Sequence, residues 1–144
     1  DDELVNAALA LLRGQMADSG IGLSSPTAVR SYLQLNLTPL EYESFWCVFV
    51  DKHNRVLAAR EMFRGTLSQV VVYPREVVKA ALQVNAAGVI FAHNHPSGIP
   101  EPSPTDEMLT STLKHALSVV DVKALDHFVI GRDAAVSFVE QGLL

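Results

Sequence analysis

Two histidines and an aspartate have the types and the spacing of a metal site. His93 and His95 come directly after the apolar run GVIFA, and Asp106 follows a proline-rich loop. Residues two apart on an extended chain project to the same side, so both imidazoles can reach one ion. Neutral imidazole is the commonest protein ligand of Zn²⁺, and a catalytic zinc usually takes three protein ligands. The pattern therefore predicts one zinc ion held by His93, His95 and Asp106.

The letters SPTD allow a second interpretation of Asp106. They have the form of a helix capping box, with Ser103 as the N-cap, Pro104 at the first helical position and Asp106 at the third. The loop before them carries three prolines, which lower the entropy lost when a ligand is held in place. The residues alone leave a capping role and a metal-binding role open for Asp106.

A zinc site that activates water also needs a general base, and glutamate is the usual choice. Glu76 and Glu107 lie in predicted first turns of helices, where compensation of the helix dipole is a sufficient role. Glu101 lies in the loop. Glu61 ends a predicted strand before MFRGT, where a carboxylate can be partly buried and have a raised pKa. We favour Glu61 among these four residues.

The elements that must position these residues alternate along the chain. An amphipathic helix is predicted at the amino terminus, and a short helix is predicted from Ser25. Further strands and helices follow from apolar patterning and turn residues. In chain order these are the hairpin FWCVFV and RVLAAREMF, the strand SQVVVY, the helix from Pro74, the strand GVIFA, a helix with an apolar stripe at Met108, Leu109, Leu113 and Leu117, the strand VKALDHFVIG, and a last short strand or turn in AVSFVEQGLL. A single α/β domain with a mixed β-sheet flanked by helices is the simplest architecture.

Composition sets further limits. The 144 residues are 49% hydrophobic and 19% charged, which is typical of a folded globular protein. The net charge of -5 weakens the case for binding nucleic acid, because that affinity depends on Lys and Arg. The single cysteine, Cys47, is predicted to be a core thiol. Because no stretch resembles a membrane span or a secretory leader, we expect a cytoplasmic protein.

The motifs together resemble a known family. HNHPSG followed by PSPTD resembles the signature of JAMM (MPN+) metalloproteases, and EMFRGT, VYPREVVKAAL, NAAGVIFAHNHPSG and LDHFVIG resemble bacterial RadC-like proteins. This resemblance implies a JAB/MPN+ domain of cytidine-deaminase-like α/β architecture over residues 38–144, after a helical segment at residues 1–37. It implies that His93, His95 and Asp106 bind zinc.

The resemblance also implies roles and a function. Glu61 matches the family's catalytic glutamate, and Ser103 matches the serine whose hydroxyl stabilises an oxyanion. His127, in LDHFVIG, is expected to support the fold or the site rather than to bind metal. The implied activity is zinc-dependent hydrolysis of a peptide or isopeptide bond, with a peptide or protein as substrate.

Two other functions stay open. One is a non-catalytic MPN-type interaction module, and the other is a DNA-repair-associated or nucleic-acid-acting RadC-like protein. Longer RadC-like relatives carry a helix-hairpin-helix segment associated with DNA binding. Residues 1–37 lack a clear glycine hairpin between paired helices, so nucleic acid is not expected as a partner. No membrane partner is expected, and the oligomeric state is left open.

Overall fold

Five strands and three helices make up residues 26–144, the part of the chain that the computed structural model describes. The strands are β1 (Ser44–Val50), β2 (Val56–Arg64), β3 (Gly88–Asn94), β4 (Lys123–Ile130) and β5 (Ala135–Ser137). The helices are α1 (Pro26–Leu37), α2 (Pro74–Gln83) and α3 (Pro104–Val119). The predicted amino-terminal helix and the predicted cap at Ser25 lie outside the described residues.

The strands form one sheet in the order β2-β1-β3-β4-β5. Strand β3 pairs antiparallel with β1 and parallel with β4. The parallel pair requires a crossover, and helix α3 provides it. The predicted single α/β domain with a mixed sheet flanked by helices is thus confirmed.

Strand β3 is the centre of the sheet, and all of its residues are buried. Helix α1 packs on one face of the sheet, whereas α2 and α3 pack on the other face. Burial on both faces explains why GVIFA is continuously apolar instead of alternating. At the carboxyl end of β3, His93 pairs with Phe45 near the amino end of β1 and lies beside Asp106 of α3.

Helix α1 belongs to the core of this domain. Val29, Tyr32, Leu33 and Leu37 are buried and form one stripe against the sheet. The second part of the predicted segment 1–37 therefore packs directly on the strands. The predicted boundary between residues 37 and 38 stays a prediction.

The predicted strand SQVVVY is wrong, because this segment pairs with no strand among the described residues. After β2 the chain turns at Gly65, where the Thr66 N–H donates to the Gln69 carbonyl at 2.7 Å. Val70 and Val72 then pack against the core of the α2 and α3 face without joining the sheet. Valine's preference for strands takes effect only where a neighbouring strand is present.

The predicted stripe of α3 is also partly wrong. Met108 is 73% exposed, and the buried residues of the helix are Thr110, Leu113 and Leu117. Thr110 can be buried because its hydroxyl has hydrogen-bond partners, the Asp106 carbonyl and the His127 ring. The buried stripe of α3 therefore contains a threonine, and Met108 lies outside this stripe.

Cys47 is fully buried, as predicted for a core thiol, and burial raises its pKa far above the usual range. Within residues 26–144, none of the helices is both long and apolar enough to cross a membrane.

Candidate metal centre

The two predicted histidine ligands lie at the carboxyl end of β3. His93 is the second-last residue of the strand and is buried, with 3% of its surface exposed. His95 follows the strand, and its backbone N–H donates to the Ile130 carbonyl at 2.9 Å. The Nε2 atoms of the two rings are 3.1 Å apart. The predicted same-side projection of the two imidazoles is therefore confirmed.

Asp106 meets both rings from the first turn of α3. Its Oδ1 lies 3.2 Å from His93 Nε2, and its Oδ2 lies 3.3 Å from His95 Nε2. One ligand atom from each of the three residues lies within 4.8 Å of the others, so the group could hold a metal ion. The structure thus brings together all three predicted ligands.

Asp106 is at the same time part of a capping box. The Ser103 N–H donates to Asp106 Oδ2 at 2.8 Å, and the Asp106 N–H donates to Ser103 Oγ at 3.1 Å. The capping interpretation from the sequence is thus confirmed. It does not exclude metal binding, because Asp106 Oδ1 lies outside the cap and faces His93.

The loop between the strand and the helix is fixed by backbone contacts. The Gly98 N–H donates to the His95 carbonyl at 2.9 Å, and the Arg132 N–H donates to the Gly98 carbonyl at 3.0 Å. Gly98 has a φ of 93°, a conformation that L side chains rarely adopt. These contacts hold the loop against the end of β4 and place α3 over the histidines.

Hydrogen bonds on the outer side of the rings fit a metal site. His95 Nδ1 lies 2.9 Å from the Ile99 carbonyl, which can only accept, so Nδ1 carries the hydrogen. Nε2 of the neutral His95 ring therefore keeps a lone pair on the side of Asp106. This arrangement, with the outer nitrogen bonded to a carbonyl, is common for metal-binding histidines.

Asp106 and His95 each shift the pKa of the other. Burial opposes ionisation of Asp106, but hydrogen bonds involving His93, His95 and the Ser103 N–H outweigh burial and hold its pKa well below the usual range. The hydrogen bond to Asp106 raises the pKa of His95, against the effect of partial burial. A carboxylate that stays ionised beside two imidazoles suits a divalent cation.

His127 lies directly behind His93 and is not part of the predicted ligand group. It is fully buried, and burial lowers its pKa well below the usual value. Its Nε2 is 2.8 Å from His93 Nδ1, and its Nδ1 is 2.6 Å from the Thr110 hydroxyl. His127 therefore contacts a predicted ligand from the outer side.

The structure does not bring Glu61 to this group. Its carboxylate accepts hydrogen bonds from Ser44 Oγ at 2.5 Å, from Tyr42 Oη at 3.0 Å and from Arg64 Nη2 at 2.9 Å. Burial opposes ionisation of Glu61, but these bonds outweigh it and lower the pKa. Glu61 is not among the described residues that line the cavity in front of the histidines. A low pKa and hydrogen bonds from three residues are typical of an anchoring carboxylate rather than of a general base.

Glu43 is the glutamate that the structure places beside the histidines, and sequence reasoning missed it. It lines a cavity of about 550 Å³ together with His93, His95, Ser103 and Asp106. Burial raises the pKa of Glu43, and the Asp106 carboxylate adds to this effect, whereas the two histidines oppose it. Glu43 thus has the raised pKa that the sequence predicts for Glu61.

Sheet pairing explains the position of Glu43. Phe45 of β1 is the partner of His93 in the antiparallel ladder, so the residues before Phe45 lie beside the residues after His93. The Glu43 N–H donates to the Thr66 carbonyl at 2.6 Å, and the Glu43 carbonyl accepts from the Gly65 N–H at 2.7 Å. An acidic residue just before the first hairpin strand was the signal that could have identified it.

Asn94 joins the two strand ends at this point. Its Oδ1 accepts from the Ser44 N–H at 2.7 Å, and its Nδ2 donates to the Tyr42 carbonyl at 2.9 Å. Glu61 holds the side chains of the same two residues. The residues on both sides of Glu43 are therefore fixed, and Glu43 is presented to the cavity from a rigid segment.

The family model described as the RadC-like JAB domain matches residues 23–143. The chain belongs to the RadC-like JAB domain family. The family confirms the resemblance drawn from the motifs around His93 and Asp106, and the JAB superfamily includes metalloproteases.

Relatives in several bacteria carry the name UPF0758 protein. The relative from Nitrosomonas eutropha is 54% identical over 143 residues, which cover 97% of this chain and 64% of that protein. The relative from Nitrosospira multiformis is 57% identical over 126 residues, which cover 88% of this chain and 56% of that protein. The relative from Thiobacillus denitrificans is 53% identical over 144 residues and is covered to 64%. The chain thus spans less than two thirds of the length of these relatives, whose names state no activity.

Proposed function

We propose that this RadC-like JAB domain is a zinc-dependent hydrolase that cleaves a peptide or isopeptide bond. The observation that carries the proposal is the convergence of His93, His95 and Asp106 within 4.8 Å in a cavity that Glu43 also lines. Membership of a superfamily that includes metalloproteases supports it. The substrate on this proposal is a peptide or a protein.

The residues present fit zinc. Two imidazole nitrogens and one carboxylate are ligands that zinc prefers, and three protein ligands leave one position open, as in catalytic zinc sites. When bound, zinc would supply Lewis acidity, which polarises a carbonyl and lowers the pKa of water. The partly buried cavity would strengthen electrostatic effects at this point.

Glu43 is the general base in this proposal, in place of Glu61. A carboxylate with a raised pKa can accept a proton from the attacking water and release it to the departing nitrogen. The hydroxyl of that water joins the carbonyl carbon, the C–N bond breaks, and the products are a carboxylic acid and an amine. Its fixed backbone keeps Glu43 in position for both proton transfers.

Ser103 is proposed to stabilise the developing oxyanion. It lines the cavity, and its Oγ accepts the Asp106 N–H. Among the described residues no acceptor takes the hydroxyl hydrogen, which is therefore free to be donated to a substrate oxygen. Such donors are worth most where charge develops in the transition state.

The walls of the cavity are suited to a substrate that has both apolar side chains and polar groups. Leu67, Val70 and Leu109 line the cavity beside polar groups such as Ser97. A net charge of -5 gives little attraction for a phosphate backbone. We therefore propose a peptide or protein substrate rather than nucleic acid, and a cytoplasmic location stays a prediction.

The test uses the 144-residue chain loaded with zinc and a matched pair of variants. The probes are a mixture of random peptides and a peptide pair joined by an isopeptide bond, with cleavage followed by mass spectrometry. Glu43→Gln is expected to keep zinc and to lose about 10²- to 10⁴-fold in turnover, the usual contribution of general acid-base catalysis. Glu61→Gln serves as the control for a glutamate outside the cavity, and it should lose less than Glu43→Gln.

Other outcomes would favour the alternatives. Full turnover by Glu43→Gln would contradict the assignment of the base. Zinc binding far below one ion per chain, with no cleavage of either probe, would favour a non-catalytic interaction module. Tight binding of DNA that weakens steeply with salt would instead favour a nucleic-acid-acting protein.

A further inference from the structure

We infer that His127 and Thr110 are positioning residues, which fix the imidazole of His93 in the tautomer whose Nε2 lone pair faces the cavity. The inference rests on the proposed function, since it concerns how His93 is prepared to bind zinc. It is carried by a chain of hydrogen bonds that runs from the backbone of α3 to the His93 ring.

The series of hydrogen bonds begins at the Thr110 hydroxyl. This hydroxyl has one hydrogen, and it donates that hydrogen to the Asp106 carbonyl at 2.8 Å, because a carbonyl can only accept. His127 Nδ1 lies 2.6 Å from the same oxygen. Towards His127 the hydroxyl can therefore only accept, and His127 Nδ1 must carry a hydrogen.

The second step passes through the His127 ring. A neutral imidazole has one N–H, so a ring that donates from Nδ1 must accept at Nε2. His127 is fully buried against the rings of Phe45, Phe91 and Phe138, where an extra positive charge would be costly. His127 Nε2 is thus an acceptor for the ring behind it.

The third step sets the His93 ring. His93 Nδ1 lies 2.8 Å from His127 Nε2 and must donate to it. The Nε2 of a neutral His93 ring then keeps its lone pair, and this atom lies 3.2 Å from Asp106 Oδ1. If each hydrogen bond of the series were donated in the opposite direction, His93 Nε2 would carry the hydrogen and could not bind an ion.

The direction of donation in all these hydrogen bonds therefore depends on the Thr110 hydroxyl. Removing that hydroxyl would leave the buried His127 Nδ1–H without an acceptor, which is costly. The ring would then favour a hydrogen on Nε2, donated to His93 Nδ1. With His127 in that tautomer, the hydrogen of a neutral His93 ring must be on Nε2. Zinc could then bind only if both rings changed to the other tautomer.

The experiment compares three substitutions on α3. Thr110→Val removes the hydroxyl with little change of shape, and Thr110→Ser restores it. Thr112→Val is the matched control, because the exposed Thr112 hydroxyl makes the same type of bond, to the Met108 carbonyl at 3.0 Å, without contacting a histidine. Zinc affinity is measured by competition with a chelator, and the metal geometry is followed by the visible spectrum after Co²⁺ substitution.

We expect Thr110→Val to weaken zinc binding by about 10- to 100-fold, as is usual for loss of a group that supports a metal ligand. Thr110→Ser and Thr112→Val should bind zinc with wild-type affinity. Thermal unfolding of the metal-free chains shows whether Thr110→Val is folded. Wild-type zinc affinity in folded Thr110→Val would overturn the inference.

A second measurement separates this inference from the proposed function. Histidine side-chain ¹H-¹⁵N spectra of the metal-free chain report which nitrogen of His127 carries the hydrogen. We expect Nδ1 in the wild type and Nε2 in Thr110→Val. A hydrogen on Nε2 in the wild type would overturn the inference even if zinc binds, whereas failure of the wild type to bind zinc with Nδ1 protonated would overturn only the proposed function.

Discussion

At the scale of single residues, the proximity of His93, His95 and Asp106 could be predicted from the sequence, whereas the position of Glu43 beside them could not. Strand alternation places His93 and His95 on one side, and local sequence fixes Asp106 in the first turn of α3. Glu43 is different, because its closeness to His95 results from pairing between β1 and β3, which are more than 35 residues apart in the chain. The sequence shows an acidic residue just before the first hairpin strand, but it does not show which strand pairs with that hairpin.

Glu61 supports a prediction about stability. It receives hydrogen bonds from Ser44, Tyr42 and Arg64, and the side chain is largely buried. We expect Glu61→Gln to lower the free energy of unfolding at pH 7 by about 1–3 kcal/mol, because donors lose a charged acceptor. Urea denaturation measures this difference, and the exposed Glu101→Gln is the control. An unchanged midpoint for Glu61→Gln would contradict the anchoring role.

The difference in stability between the wild type and Glu61→Gln should depend on pH, in a direction given by the pKa shift of Glu61. Hydrogen bonds from Ser44, Arg64 and Tyr42 outweigh burial and lower the pKa of Glu61 from its usual value of 4.5. The stabilisation is therefore fully present above about pH 4.5 and is lost as the pH falls through the lower, folded-state pKa. The stability of the wild type should approach that of Glu61→Gln as the pH is lowered below 4.5.

At the scale of elements, the sequence predicts most of the helices and strands in their order along the chain. The prediction fails where contacts with other elements decide the structure. The hairpin, the buried strand β3 and the capped helix α3 all have local signals in turn residues, apolar runs and caps. The segment SQVVVY has the composition of a strand, but the turn at Gly65 separates it from the sheet. Thr110 was missed as a core residue because its burial depends on hydrogen bonds to Asp106 and His127, which apolar periodicity does not detect.

The loop after β3 and the turn after β4 are in close contact at Gly98 and Gly131. A Cβ at Gly131 would lie 2.6 Å from the Gly98 carbonyl oxygen and 2.8 Å from Pro100 Cδ. We expect Gly131→Ala to lower the free energy of unfolding by about 1–3 kcal/mol through overpacking. It should also weaken zinc binding, because the displaced loop carries His95. Denaturation and chelator competition measure the two effects.

The matched control for Gly131→Ala is Asp133→Ala, an exposed position in the same turn. This variant should stay within about 0.5 kcal/mol of the wild type. If Gly131→Ala were equally stable and bound zinc normally, the loop would not be held by this close contact.

At the scale of the whole molecule, one sheet brings distant residues to a single point. Glu43 lies just before β1, His93 lies in β3, His95 follows β3, and α3 contributes Asp106. A ligand held by two elements is bound by the folded chain and not by the unfolded one. Zinc should therefore raise the midpoint of thermal unfolding, by an amount that grows with zinc concentration. At a free zinc concentration of 100 Kd the expected stabilisation is about 2.7 kcal/mol.

Zinc content tests the central claim most directly. The wild type and the variants His95→Ala, Asp106→Asn and His115→Ala are exposed to zinc, dialysed and analysed for metal and protein. We expect about one zinc per chain in the wild type and in His115→Ala, whose histidine is exposed on α3, and far less in the other two variants. A wild-type chain without zinc, or full zinc retention by both His95→Ala and Asp106→Asn, would contradict the account.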